Sequence, residues 1–112
     1  MGKVYIVQEI MRKNRYQELE PVHDLTPASV YGELKILLSN RRMPLNIQPI
    51  IRELRSKLRN FSDEDYLLLV GDPVLIGLAT AIAADINIGM INLLKWDRQT
   101  KQYIKINTNI RG

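Results

Sequence analysis

Residues 66–87 (YLLLVGDPVLIGLATAIAADIN) constrain the fold more than any other stretch, because one apolar run meets a tight turn and then a second apolar run almost without charge. Residues 66–70 are apolar continuously rather than alternately, the pattern of a strand buried on both faces of a sheet. Gly71 can take a turn conformation, Asp72 can cap a helix, and Pro73 suits the first helical position because its φ is already set. The reading is therefore strand, tight turn and helix start. The helix, read over 73–87, buries Leu75, Leu78, Ala79, Ile82 and Ile86 on one side. On the other, Gly77, Ala81 and Ala84 form a small-residue stripe at i, i+4 and i+7, with Asp85 the one ionised residue of the interior. A solvent-facing helix carries Lys or Glu at such positions. The stripe is thus expected to be covered by another element or by a second copy, which makes Gly77, Ala81 and Ala84 candidate dimer-interface residues.

The remaining elements follow from periodicity. Residues 3–9 alternate with β-branched residues dominating and read as a strand. Residues 10–31 hold two prolines and no sustained period, a long connection of the kind that is often functional or mobile; its part 15–19 is open to extending the first strand into an irregular hairpin. Residues 32–38 read as a second strand lying beside the first. From Ile47 the helical period is unambiguous: Ile47, Ile50, Ile51, Leu54, Leu58 and Phe61 fall in one sector, with Asn46 as N-cap and Pro49 in the first turn. Arg52, Arg55 and Arg59 lie opposite, and Glu53 and Lys57 make an i,i+4 pair. Asn87 and Gly89 end the second helix, Gly89 in a left-handed conformation. Residues 90–96 and 102–108 then read as a hairpin, the second strand edge-like with a blunting lysine. The expected fold is a single α/β domain over 1–112, a mixed sheet with two main helices in the order β-β-α-β-α-β-β.

Composition narrows the chemistry. The chain has 112 residues, 46% hydrophobic, with no cysteine and one histidine. Disulfides, thiol nucleophiles, thiolate zinc sites and iron–sulfur ligation are excluded, and no cofactor or metal is implied. No stretch reads as a signal peptide or a membrane span, so a reducing cytoplasm is the expected location and no membrane partner is expected.

Three constellations invite functional readings. The VGDP junction places Gly71, Asp72 and Val74 at a helix N-terminus beyond the carboxyl end of a strand, where unpaired N–H groups attract anions; yet no phosphate-loop fingerprint is present, and Asp72 would repel phosphate while satisfying the same donors. His23 beside Asp24 suggests an acid–base pair, but neighbours in a loop do not make a dyad, and Asp24 reads equally as the cap of a short helical turn through Ala28 and Val30. Positive charge gathers at Arg12, Lys13 and Arg15; at Arg41 and Arg42; at Arg52, Arg55 and Arg59; and at Lys95, Arg98, Lys101 and Lys105. Joined on one face, such groups bind phosphates without sequence readout, and Tyr16, Trp96 or Tyr103 can stack on bases. The net charge of +4 does not demand this, and no nucleic-acid module is recognisable.

The whole chain, and especially DYLLLVGDPVLIGLATAIAADIN with the following LLKWDRQTKQY, resembles small uncharacterised proteins of tailed bacteriophages. The resemblance implies an accessory or host-modulating role in an infected bacterial cytoplasm and carries over no catalytic residue. The leading expectation is a non-enzymatic interaction protein, a homodimer, which binds a host protein through the outer side of the second helix or the 10–31 segment. Weak nucleic-acid binding through the arginine groups and a small phosphate-handling enzyme centred on Asp72 stand as alternatives.

Overall fold

A computed structural model describes residues 2–39 and 43–112. Its strands are β1 (Lys3–Gln8), β2 (Met11–Lys13), β3 (Leu19–Pro21), β4 (Glu33–Leu38), β5 (Tyr66–Leu68), β6 (Met90–Asp97) and β7 (Gln102–Asn109); its helices are α1 (Gln48–Leu58), α2 (Pro73–Ile86) and a 3-10 helix over Thr26–Tyr31. Five strands form one sheet in the order β4-β1-β5-β6-β7, while β2 and β3 make a separate two-stranded hairpin. β4, β1, β5 and β6 run parallel, and β7 returns antiparallel on β6. The mixed α/β fold follows the expected order, with the small hairpin and the 3-10 helix added inside the 10–31 connection.

The connections explain where the layers lie. The chain steps from β1 outward to β4, then reverses and steps past β1 to β5 and on to β6. Parallel crossovers are right-handed, so reversing the direction of travel moves the connection to the opposite face of the sheet. α1 and α2 accordingly share one face, and the β2–β3 hairpin with the 3-10 helix occupies the other. Side-chain alternation along β1 agrees: Tyr5 and Val7 enter the helix-side core with Leu54, Leu58, Leu67, Leu75 and Ile82, while Val4 and Ile6 enter a smaller core with Ala28, Leu68, Leu94 and Tyr103. A leucine buried as completely as Leu54 or Leu67 contributes about 1.5–3 kcal/mol.

Polar clamps hold the amino ends of the strands. The buried Asp65 carboxylate accepts from the Lys3 N–H at 2.8 Å and from the Ser62 N–H at 2.9 Å, fixing the start of β1 to the entry of β5. Asn92 Nδ2 donates to the carbonyls of Asp63 and Asp65, tying β6 to the same turn. Two helix boundaries differ slightly from expectation. Ile47, not Asn46, occupies the α1 cap position, although Asn46 Oδ1 still accepts from the Gln48 N–H at 3.1 Å. The apolar run 66–70 supplies only Tyr66–Leu68 to the ladder, since the chain turns away after Leu69 N–H bonds the Leu94 carbonyl.

Candidate functional site

In open parallel sheets the crevice beyond the carboxyl ends of the strands, where connections part in opposite directions, is the usual ligand site. Here that point lies between β1 and β5. Its two strand ends are knitted together. The Gln8 N–H donates to the Val70 carbonyl at 3.0 Å, and the buried Gln8 side chain accepts from the Asp72 N–H at 2.9 Å. Gly71 is required between them: it holds φ +130°, and a Cβ there would stand 2.6 Å from Gln8 Cβ. Asp72 then caps α2, its Oδ1 accepting from the Val74 N–H at 2.8 Å, with Pro73 at the first helical position. Of the residues singled out as anion-binding candidates, Gly71 forms the turn, and the N–H groups of Asp72 and Val74 are both bonded within the chain.

Open space lies instead beside this junction, on the face without α-helices. A cavity of about 610 Å³ is bounded by Ile6 of β1, Leu34 and Ile36 of β4 and Val70 after β5, with Ile10, Glu20 and Pro21 of the hairpin region and Leu25 before the 3-10 helix opposite. The polar members of its wall are Glu9, Glu20, His23, Asp24, Thr26 and Lys35. The hairpin is held by its own geometry: Asn14 Oδ1 accepts from the Tyr16 and Glu18 N–H groups, and Arg12 pairs with Glu20 at 3.4 Å. Asp24 Oδ1 accepts from the Thr26 N–H at 3.1 Å and so sets the entry to the 3-10 helix, while the Tyr103 hydroxyl donates to the Asp24 carbonyl at 3.5 Å. Burial raises the Tyr103 phenol above its ordinary value, and the Asp24 charge raises it further. The histidine, by contrast, is exposed and makes no hydrogen bond among the described residues. Among those residues no group of three His, Cys, Asp or Glu is arranged to hold a metal ion.

The other sequence candidates are dispersed. Gly77 and Ala81 lie exposed on the outer side of α2, but Ala84 is 1% exposed and belongs to the helix-side core with Ala83. Ala84 is thus covered by other elements of the same chain, and Gly77 and Ala81 stay open. The outer face continues instead through exposed Val74 and Ile88, the latter held at φ +56°. Arg52, Arg55 and Arg59 project from α1, where Arg55 approaches Asp85 at 3.5 Å and Arg111 reaches the same carboxylate at 4.0 Å. Lys95, Arg98 and Lys101 are exposed on the β6–β7 hairpin at the far edge of the sheet. α1 packs on α2 and β4, so these two basic groups are not brought into one patch. Arg41 and Arg42 lie outside the described residues. The indole of Trp96 packs edge-on against Tyr103 at 5.0 Å, and the Arg15 guanidinium covers the Tyr16 ring at 5.1 Å.

Sequence reasoning marked 10–31 for its length but did not assemble the cleft, whose walls come from four separate segments. Residues 2–110 match a family model described as phage Pam3 gp32-like protein. The chain belongs to that family. The phage resemblance read from the whole chain, and especially from residues 65–87 and 93–103, agrees with this match. No curated protein and no solved structure matches. Among the described residues no helix is long and apolar enough to cross a membrane.

Proposed function

We propose that this phage protein is a non-enzymatic accessory protein of the infected cell whose working surface is the cleft between the sheet and the 10–31 connection. One observation carries the reading: a cavity of about 610 Å³ with an apolar floor and a polar rim at the carboxyl ends of the parallel strands. Ligand sites favour that size, lining and place in the fold. Catalysis has less support, since His23 has no carboxylate partner among the described residues and the Asp72 side chain is occupied as a helix cap.

The test is affinity capture from bacterial lysate, with and without nuclease, comparing the native chain with Ile36→Trp. Ile36 is 44% exposed, so the bulkier ring can fill the cleft without disturbing the helix-side core. The expected outcome is a nuclease-resistant partner that Ile36→Trp loses. A partner kept by Ile36→Trp overturns the cleft assignment, and a nuclease-sensitive one favours nucleic-acid binding by the arginines of α1.

A second reading, homodimerisation through the outer face of α2, is favoured by Ile88. A β-branched residue at φ +56° is strained, and this one is also 70% exposed, a combination easier to understand at a contact than in free solvent. Sedimentation is expected to show a dimer that Ala81→Arg splits; a monomer for the native chain at working concentration removes this reading.

A further inference from the structure

We propose that the cleft receives an extended peptide segment of a partner protein, which pairs with the free edge of β4 as a further strand; the inference rests on the cleft reading above. β4 ends the sheet, and no strand among the described residues pairs with its outer side. The Glu33 N–H turns inward, donating to the Gly2 carbonyl at 3.2 Å. Backbone direction alternates along a strand, so the N–H and C=O groups of Leu34 and Ile36 face the open edge. Such a row of unpaired groups is a template for another chain.

What distinguishes this edge is a hollow on each face of the sheet beside it. The cleft adjoins Leu34, Lys35 and Ile36; a second hollow of about 280 Å³, on the α1 side, is bounded by Lys3, Tyr5, Lys35, Ile36, Leu37 and Lys57. A strand added to β4 sends successive side chains to opposite faces, hence alternately into the two hollows. The hollows differ in charge. The cleft is lined by three carboxylates, those of Glu9, Glu20 and Asp24, together with His23, whereas the second hollow is bounded by three lysines and no carboxylate. Two of those lysines are paired nearby, Lys35 with Glu33 at 3.0 Å and Lys57 with Glu53 at 2.8 Å. Lys57 also donates to the Leu37 carbonyl at 2.6 Å, so the segment that fits alternates apolar or basic residues, directed into the cleft, with acidic residues directed toward Lys3. Main-chain bonds to Leu34 and Ile36 supply affinity, and the two hollows supply selectivity. A small molecule confined to the cleft would need neither the edge nor the alternation.

The probe is a fluorescein-labelled heptapeptide with Lys, Leu, Leu and Lys at its odd positions and Glu at its even ones, titrated against the full chain by anisotropy. Saturable binding is expected, lost by a peptide of the same composition without the alternation. Ile36→Ala, which keeps the N–H, should bind within about threefold of the native chain. Ile36→Pro removes an N–H that the fold itself does not use, at an edge position where proline is tolerated, and should bind at least about tenfold more weakly. Circular dichroism checks that both variants are folded, and a peptide N-methylated at alternate amides repeats the test on an unaltered protein, losing affinity in one phase of methylation and keeping it in the other. Equal binding by the proline and alanine variants, equal binding of the two methylated phases, or no saturation by about 1 mM overturns strand addition. If the peptide shifts the amide resonances of Leu25 and Val70 while those variants bind equally, the cleft reading survives and strand addition alone fails; if those resonances are unmoved in every arm, both fail.

Discussion

The two faces of the sheet are covered unequally. On one, α1 and α2 bury Leu54, Leu58, Leu75, Ala79 and Ile82 against Tyr5, Val7 and Leu67. On the other, the 3-10 helix, Leu25 and Tyr103 cover Val4, Ile6, Leu68 and Leu94, with Ala28 the fully buried residue of the 3-10 helix, while the two-stranded hairpin contributes Glu20 and Pro21 to the wall of the cleft. Both faces of a parallel sheet must be shielded, and βαβ crossovers normally do this with helices. Replacing one crossover helix by 10–31 leaves that face only partly filled, and the unfilled volume is the cleft. Stability and binding are thus assigned to opposite sides of the same strands.

The largest test of this division is a truncation on each side. Leu54→Ala is expected to lower the unfolding free energy by about 2–5 kcal/mol in urea titration, and Ile36→Ala by less than about 1 kcal/mol, because Leu54 is fully buried and Ile36 is not. Similar losses at the two positions would break the comparison. Next in size is the seam between the faces: Gly71→Ala forces a side chain into φ +130° and against Gln8, and should cost about 1–3 kcal/mol by the same measurement. Removing the α2 cap is milder. Asp72→Ala loses the bond from the Val74 N–H and should cost about 1 kcal/mol, with the cleft unaffected in binding assays.

Alkaline pH compares the faces through one phenol on each. Burial raises Tyr5 on the helix side, with the Asp65 charge adding, and raises Tyr103 on the cleft side, with Asp24 adding. A phenol raised in the folded state contributes stability that is complete below its unfolded value near 10 and is lost as pH climbs through the folded value. Melting temperature is therefore expected to fall above about pH 10, and less steeply in Tyr103→Phe. The smallest effect is at acid pH. The Asp97 carboxyl is lowered, first by its hydrogen bond from the Thr100 side chain, so its contribution is present above the ordinary carboxylate range and fades as pH falls through the lowered value. At the surface end of the β6–β7 hairpin it should change the acid unfolding curve little, and Asp97→Asn measures how little.

Elements whose cause is local were legible in the sequence. The strand–turn–helix at 66–87 declares itself because an apolar run, Gly71, Asp72 and Pro73 act over neighbouring residues, and the cap appears where the residue types place it. The sector of α1 was legible for the same reason. Strand order was not, since nothing within 66–68 says that it pairs with β1 on one side and β6 on the other. The run Asp63, Glu64, Asp65 reads as a charged surface turn, yet Asp65 is buried because Lys3 and Ser62 supply its donors, one of them from the other end of the sequence. Ala84 and Ala81 are indistinguishable by type, and only the assembled fold, which buries one and exposes the other, separates them. The cleft was least legible, because its walls meet only once β1, β4, β5 and the hairpin are assembled.

The central position of β1 has a consequence for synthesis. Val4 and Ile6 lie in the middle of the sheet, but the strand that seals their inner side emerges 62 positions later, when Ile6 can meet Leu68. At roughly 5–20 residues per second, a ribosome leaves that stretch without its partner for about 3–12 seconds. During this interval β4 is the parallel neighbour already made for β1, and the β2–β3 hairpin shortens the effective loop that pairing of the two must close. The segment that leaves the cleft open in the finished protein would then serve first to ease the pairing of a nascent two-stranded unit.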